Sequence, residues 1–275
     1  MKPDDVLKQY AANQLDFCNV DLNGASLERA DLSSANFTGA FLVEANLIGT
    51  NLVGANLMDS DLSKSTAWGV KLVNANLSRA NIGRADWYAA DLLGADLTEA
   101  NLSKAVLIEA ELSFADLIRA NLSEAYLRHA VLLVADLKEA NLTGVNLYGA
   151  DIGDAELCQA NLTNANLSRA NFMEADMSQA LLIGANLTHA NLMAVNLSGT
   201  NLMGANLKMS CLRQADLSNA NLTDSCLVKA DLSLARLTQA NFSNANLTDA
   251  HLNLAEMDRA ICCNTIMPNG SIKTN

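Results

Sequence analysis

From Phe17 to Met257, every fifth residue is Leu, Ile, Phe, Met, Trp or, once, Ala. Two positions before it the residue is generally small, usually Ala, and one position before usually Asn or Asp. This makes 49 consecutive pentapeptides without insertion or deletion. A helix cannot use the period, because five steps of about 100° leave successive Leu positions roughly 140° apart and no apolar stripe forms. Asn, Asp, Ser, Thr and Gly are also poor helix formers. A straight strand fails too, since an odd period sends alternate Leu residues to opposite faces. The period becomes useful only if the chain turns once per pentapeptide, so that every Leu and Ala points at one axis. The Asn, Asp and Gly content suits such turns, and successive coils then stack about 4.8 Å apart like a parallel sheet.

The run "ANLSRANIGRADWYAADLLGADLTEANL" resembles the pentapeptide-repeat family, whose pattern is A(D/N)LXX, and the likeness extends over nearly the whole chain. The opening "VLKQYAA" and closing "TIMPNGSI" are similar to cyanobacterial members. The resemblance implies an all-β fold, a right-handed quadrilateral parallel β-helix (a solenoid) of about twelve coils, each of four pentapeptides. The central Leu and the small residue two before it would face inward and the other three outward. The expected organisation is a capping helix over 1–14, the repeat β-helix over 15–260 and a C-terminal cap or tail over 261–275. Val6, Leu7 and Tyr10 are expected to cover the open end of the core, since solenoid ends need caps.

The pattern is interrupted in "STAWGVKL" (65–72). Ala67 stands where Leu is expected, Lys71 where Asn or Asp is expected, and Trp68 is one of 2 tryptophans in the chain. With four pentapeptides per coil, Ala67, the smallest central residue, lies one coil below Trp87, the largest. Small beneath large is the compensation a packed core requires.

The same spacing sorts outward residues into columns. Ile48, Trp68, Tyr88, Ile108, Arg128 and Tyr148 form one, with Val106 and Tyr126 beside it. Around the next corner lie Val53, Val73, Leu93, Phe114, Val131, Leu133 and Val134. Outward positions elsewhere carry mostly Ser, Thr, Asn or Gly. β-branched and aromatic residues do favour strand surfaces, but exposed apolar patches also mark interfaces, with Trp and Tyr as preferred anchors. Ile48, Trp68, Tyr88, Ile108, Tyr126, Tyr148, Val73, Leu93 and Phe114 are therefore the candidate protein-binding residues. An acidic stripe, Asp96, Asp116, Asp136, Glu156 and Asp176, is a second candidate, for a basic partner; otherwise it is a solvated face. Asp59, Arg79, Glu99, Arg119 and Glu139 alternate as an expected salt-bridge ladder, and Lys64, Arg84 and Lys104 stack elsewhere.

The net charge of −12 disfavours direct binding to nucleic acid or an anionic membrane. No apolar run approaches membrane-spanning length, and the N-terminus lacks a signal-peptide core, which points to a soluble cytoplasmic protein. The 6 cysteines show no CxxC spacing and read as reduced thiols. His129, His189 and His251 do not converge on a metal. No nucleophile elbow, P-loop or dinucleotide fingerprint occurs in context, so no catalytic, cofactor or metal site is expected and an enzyme is not.

Three functions remain. The first is a non-enzymatic protein-interaction module that binds another protein, or a second copy of itself, through the aromatic edge. Some members of the family modulate transcription regulators, which implies a regulatory task. The second is an acidic DNA mimic acting on a type II topoisomerase, as other members do. Against it, a duplex of matching length carries on the order of 34 charges, and Lys64, Arg84 and Lys104 interrupt the acidic surface. The third is a structural or stress protein with no specific partner.

Overall fold

The computed structural model describes residues 1–274, which fall into two compact units, Met1–Ala140 and the residues from Asn141 onward. Each unit is a right-handed quadrilateral β-helix.

The N-terminal unit opens with α1 (Pro3–Ala11), which starts on Pro3 and carries Asp4 and Asp5 in its first turn. Proline at the first helical position sacrifices only an amide with no helical partner, and the carboxylates suit the positive end of the dipole. Val6 is fully buried, and the half-buried Tyr10 donates its hydroxyl to the Ser33 carbonyl at 3.0 Å. Leu7 departs from expectation. It is 36% exposed, because Val6 and Tyr10 share a helix face four residues apart while Leu7 lies about 100° from Val6.

The coils follow. Asp16 pairs with Asn36, Asp21 with Phe41, Ser26 with Asn46 and Asp31 with Asn51, all in parallel register. Four sides, each offset by 20 residues, define the quadrilateral turn.

The pentapeptide 51–55 shows why the motif has this composition. Asn51 N–H donates to Ala30 O in the coil below at 2.8 Å, and Leu52 and Gly54 donate to Lys71 O and Val73 O above at 2.7 and 2.9 Å. Ala55 N–H closes the corner onto Leu52 O at 3.0 Å. One donor is left over, the amide of Val53, and the Asn51 side chain accepts it at 3.2 Å. All five backbone donors are thus satisfied, as a stacked backbone requires. The Asn or Asp supplies the acceptor the backbone cannot. Asparagine adds a donor that ties coils together: Asn101 Nδ2 reaches Asn81 Oδ1 at 2.9 Å, and Asn121 repeats the contact on Asn101 at 3.2 Å.

The second residue after each central position has positive φ, for example 56° at Arg79, 58° at Glu99 and 55° at Arg119. In a corner closed by a backbone bond to the residue three before, this is the signature of a type II turn. Glycine and Asn fit there at little cost. Phe114 and Val134, both at φ 59°, do not; such a conformation costs an ordinary residue about 1–2 kcal/mol.

The core is a stack of buried Leu and Ala, and its one large irregularity is the interrupted stretch. Thr66 pairs in register with both Asn46 and Asp86, so the backbone carries no bulge there. Ala67 and Trp87 are both buried and one coil apart, with Ala67 N–H donating to Asp86 O at 2.8 Å. Ser65, which replaces the usual Ala, accepts the indole Nε1–H of Trp87 at 2.9 Å. The size exchange at the core centre is therefore paired with a polar exchange at the corner that satisfies the one buried donor the larger ring introduces.

The C-terminal unit repeats the same parallel register, Asn141 with Asn161 and Asn146 with Asn166 onward. It ends in a short antiparallel hairpin, β1 (Thr265–Ile266) with β2 (Ile272–Lys273), whose loop includes Gly270 at φ +80°. Thr265, buried like the alanines it replaces, donates its hydroxyl to Phe242 O at 2.7 Å.

Candidate functional site

One side of the N-terminal unit departs from the donor pattern in three successive coils, whereas on the next side the Val73 amide, behind Lys71, is an isolated departure. The columns of the first side are Thr66, Asp86, Val106 and Tyr126 before the central residues, and Ile48, Trp68, Tyr88 and Ile108 after them. Gly49, Gly69 and Ala89 donate to Trp68 O, Tyr88 O and Ile108 O at 2.9 Å each, which sets these residues in consecutive coils. Thr66 and Val106 lack the carboxamide or carboxylate that normally accepts the leftover amide. Asp86 has one, yet its carboxylate accepts no hydrogen bond; every other Asn or Asp at this position of the N-terminal unit does. Among the described residues, the backbone amides of Trp68, Tyr88 and Ile108 therefore have no protein acceptor.

Trp68 is 49% exposed and Tyr88 41%. The two rings do not pack on each other; the stacked pair among the described residues is Phe17 with Phe37, whose centroids are 5.3 Å apart. The space between them is an open groove of about 370 Å³ lined by Trp68, Asp86, Tyr88 and Val106. Tyr88 is held in place at its far end, where its hydroxyl donates to Glu109 Oε2 at 2.5 Å. That bond, helped by partial burial and the nearby negative charge, raises the phenol above its ordinary pKa.

The other candidates divide. Ile48 and Ile108 line the Trp68 column but are half-buried. Tyr126 is exposed on the same side, two coils beyond Asp86. Val73 and Leu93 lie in successive coils around the next corner, linked by the Asn74 amide to Leu93 O at 2.9 Å. Phe114 does not join them. It occupies the far corner of that side with Val134 in the next coil, and the two are 64% and 47% exposed. Tyr148 belongs to the C-terminal unit.

In the acidic stripe, Asp96, Asp116 and Asp136 are register partners in the N-terminal unit, while Glu156 and Asp176 belong to the other. Each of the three accepts the amide two residues on, at 2.9, 3.1 and 3.1 Å, so their carboxylates stand in for Asn as turn acceptors. The expected salt-bridge ladder is corrected to separate pairs: Arg79 with Asp59 and Arg119 with Glu99, both at 2.7 Å. Each guanidinium reaches toward the coil below, where Arg79 forks onto both Asp59 oxygens and Arg119 places two bonds on Glu99 Oε1. Lys64 and Lys104 pair with Glu44 and Glu124 at 3.1 and 3.4 Å.

Among the described residues, no three His, Cys, Asp or Glu side chains come together in a way that could hold a metal ion. Among the described residues, no helix is long and apolar enough to cross a membrane. Sequence reasoning passed over Asp86, Glu109 and Ser65. The signal for the first was present in the column Thr66, Asp86, Val106, Tyr126, where the Asn that dominates this position is missing from four successive coils.

A family model of pentapeptide repeats matches successive overlapping stretches between residues 13 and 253. Among solved structures, HetL, a pentapeptide repeat protein involved in heterocyst differentiation regulation from the cyanobacterium Nostoc sp. strain PCC 7120, is 31% identical over 99% of this chain and 100% of its own, with a TM-score of 0.34. Rfr23 from the cyanobacterium Cyanothece 51142 is 37% identical over 37% of this chain and 63% of its own, with a TM-score of 0.19. Full-length QnrB1, a plasmid-mediated fluoroquinolone resistance protein, is 16% identical over 89% of this chain and 92% of its own, with a TM-score of 0.29. No curated protein matches the chain.

Proposed function

The chain belongs to the pentapeptide-repeat family, and from that premise we propose that it is a non-enzymatic protein-interaction module whose N-terminal unit binds another protein through the Trp68–Tyr88 edge. One coincidence carries the reading. Two exposed aromatic rings, an open groove between them and three consecutive unaccepted backbone amides fall on the same side of one unit. Aromatic anchors beside a desolvatable pocket are what interface energetics favour, and free amides along an edge accept an extended partner strand. The finer parts of the reading are a regulatory role and a cytoplasmic setting. Leu93 and Val73 extend the contact around the corner, while Phe114 and Val134 form a separate apolar point. The acidic stripe is read as a solvated face whose carboxylates cap their own turns. A DNA mimic is disfavoured, because Lys64, Arg84 and Lys104 stack through one side of the unit.

The test compares wild type with Trp68→Ala/Tyr88→Ala by light scattering and by affinity capture, with the captured protein then purified and rebound. A reconstituted complex lost in the variant at unchanged mass supports the proposal. A wild-type dimer that becomes monomeric assigns the edge to self-assembly. Unchanged mass and unchanged capture would reduce the edge to surface packing.

A further inference from the structure

Trp68 and Tyr88 leave between them a groove with a carboxylate in its lining, and that carboxylate is the anomaly. At its position Asn and Asp serve as acceptors for the backbone amide two residues on, yet Asp86 accepts nothing, although the Tyr88 amide lies two residues away. Its register neighbours in the coils below and above are Thr66 and Val106, neither of which neutralises it. From Asn46 to Glu109, the outward positions of this side hold two charged residues, Asp86 and Glu109, both acidic. Glu109 is occupied by the Tyr88 hydroxyl. Asp86 forms no ion pair: Arg84 stands exposed at the corner two residues before it, and Lys64 and Lys104 at the same corner of the adjoining coils pair with Glu44 and Glu124. The Asp86 carboxylate is thus without a bonded partner, half-buried and flanked by two aromatic rings.

We infer that the groove receives an arginine side chain from an extended segment of a partner protein, with the guanidinium set against the Trp68 and Tyr88 rings and forked onto the Asp86 carboxylate. The inference rests on the reading of this edge as a protein-binding surface and names the chemistry of its occupant. A planar guanidinium stacks on aromatic faces and meets a carboxylate bidentately, which a lysine ammonium does not. The amides of Trp68 and Tyr88 fit the same occupant, because a peptide brings backbone carbonyls along with its side chain. Charge also selects against a second copy of this chain: at a net −12, two copies repel.

The probe is acetyl-Gly-Ala-Arg-Ala-Gly-amide, with citrulline and lysine counterparts, titrated into the full chain labelled with nitrogen-15. The chain has 2 tryptophans, so two indole N–H signals report. That of Trp87, buried and bonded to Ser65, is the internal control. The arginine peptide is expected to shift the Trp68 indole and the Trp68 and Tyr88 amides while the Trp87 indole stays still. Citrulline, which keeps the shape and removes the charge, should bind about tenfold more weakly, and so should the arginine peptide on Asp86→Asn. Asparagine is native to this position in other coils, so Asp86→Asn should fold. Asp96→Asn, on another side, should leave the affinity unchanged. Equal binding of citrulline, full affinity in Asp86→Asn, or shifts spread equally over the Asp96–Asp116 side would overturn the inference. So would a doubling of mass that disappears with Trp68→Ala, which would make the occupant a second copy. If the purified partner complex is lost in Trp68→Ala/Tyr88→Ala yet keeps its affinity in Asp86→Asn, the guanidinium assignment falls while the protein-binding edge stands.

Discussion

The Ala67–Trp87 exchange offers a stringent test of the stacking register, because each residue makes sense only against the other. Both are buried and lie one coil apart. Ala67→Leu forces three extra carbons against the indole, and overpacking of this kind costs about 1–3 kcal/mol. Trp87→Leu removes much of the ring and leaves a cavity above Ala67, a loss of about 2–3 kcal/mol on the scale of large-to-small core substitutions. It also strips Ser65 of the indole N–H it accepts at 2.9 Å, which adds about 1 kcal/mol. Independent effects would sum to about 5 kcal/mol in the double variant. In the stacked arrangement, Ala67→Leu/Trp87→Leu instead restores the Leu-over-Leu core of ordinary coils, and only the cost at Ser65 persists. The expected coupling is then about 4 kcal/mol, above the roughly 0.5–3 kcal/mol usual for contacting residues. Guanidinium denaturation followed by far-UV circular dichroism measures all four proteins. Exchange of the Leu72 and Leu107 amides localises the effect where repeat unfolding is not two-state. A double variant whose loss equals the sum of the singles within about 0.5 kcal/mol would refute the claim that these residues share one space.

Glu109→Gln should bring the Tyr88 phenol back toward its ordinary pKa, read by ultraviolet difference titration. In the wild type the raised value means that the folded state holds this proton more tightly, so stability declines as pH rises from about 10 through the folded pKa. The Arg79 guanidinium, bonded to Asp59 at 2.7 Å, holds that carboxyl below its usual range. Its contribution is present above about pH 4 and fades as pH falls through the folded value, and Arg79→Met should return the Asp59 titration, followed by carboxyl carbon NMR, to the ordinary range. Val134→Asn should raise the denaturation midpoint by an amount equivalent to about 0.5–1 kcal/mol, since a β-branched residue sits where φ is 59° and Asn tolerates that corner. An unchanged or lower midpoint would show that the corner is not strained.

The fold was legible because one period dictated it. A central Leu every five residues excludes helix and strand, and the Ala67–Trp87 pair already pointed to the coil length. The site was legible only in part. Trp68 and Tyr88 announced themselves as large residues at outward positions. Asp86 did not, since Asp is ordinary at its place and only the missing acceptor bond makes it unusual. Phe114 was assigned to the same patch as Leu93 because both are apolar and adjacent in the column count. One residue of register separates the middle of a side from its corner, and hydrophobicity carries no information about that. Leu7 was misplaced for a similar reason: a short amphipathic helix shows which residues are apolar more plainly than which of them meets the core. The ladder of alternating charges resolves into separate pairs, because alternation permits pairing either upward or downward and both Arg79 and Arg119 take the carboxylate below.

The closed set of five donors per pentapeptide has a consequence for how such a gene changes length. A regular five-residue insertion after Ala95, for instance, would keep every Leu inward, every corner turn closed, the pattern of accepted amides unchanged and Trp87 over Ala67, so the folded chain would register little. The outward columns would nevertheless move on by one side, and Ile108 would no longer stand above Tyr88. Folding there tolerates slippage in steps of five, whereas the aromatic edge tolerates only steps of twenty. Core packing of Ala67 against Trp87 keeps Tyr88 above Trp68, but selection on stability alone has no means to keep Ile108 above them both.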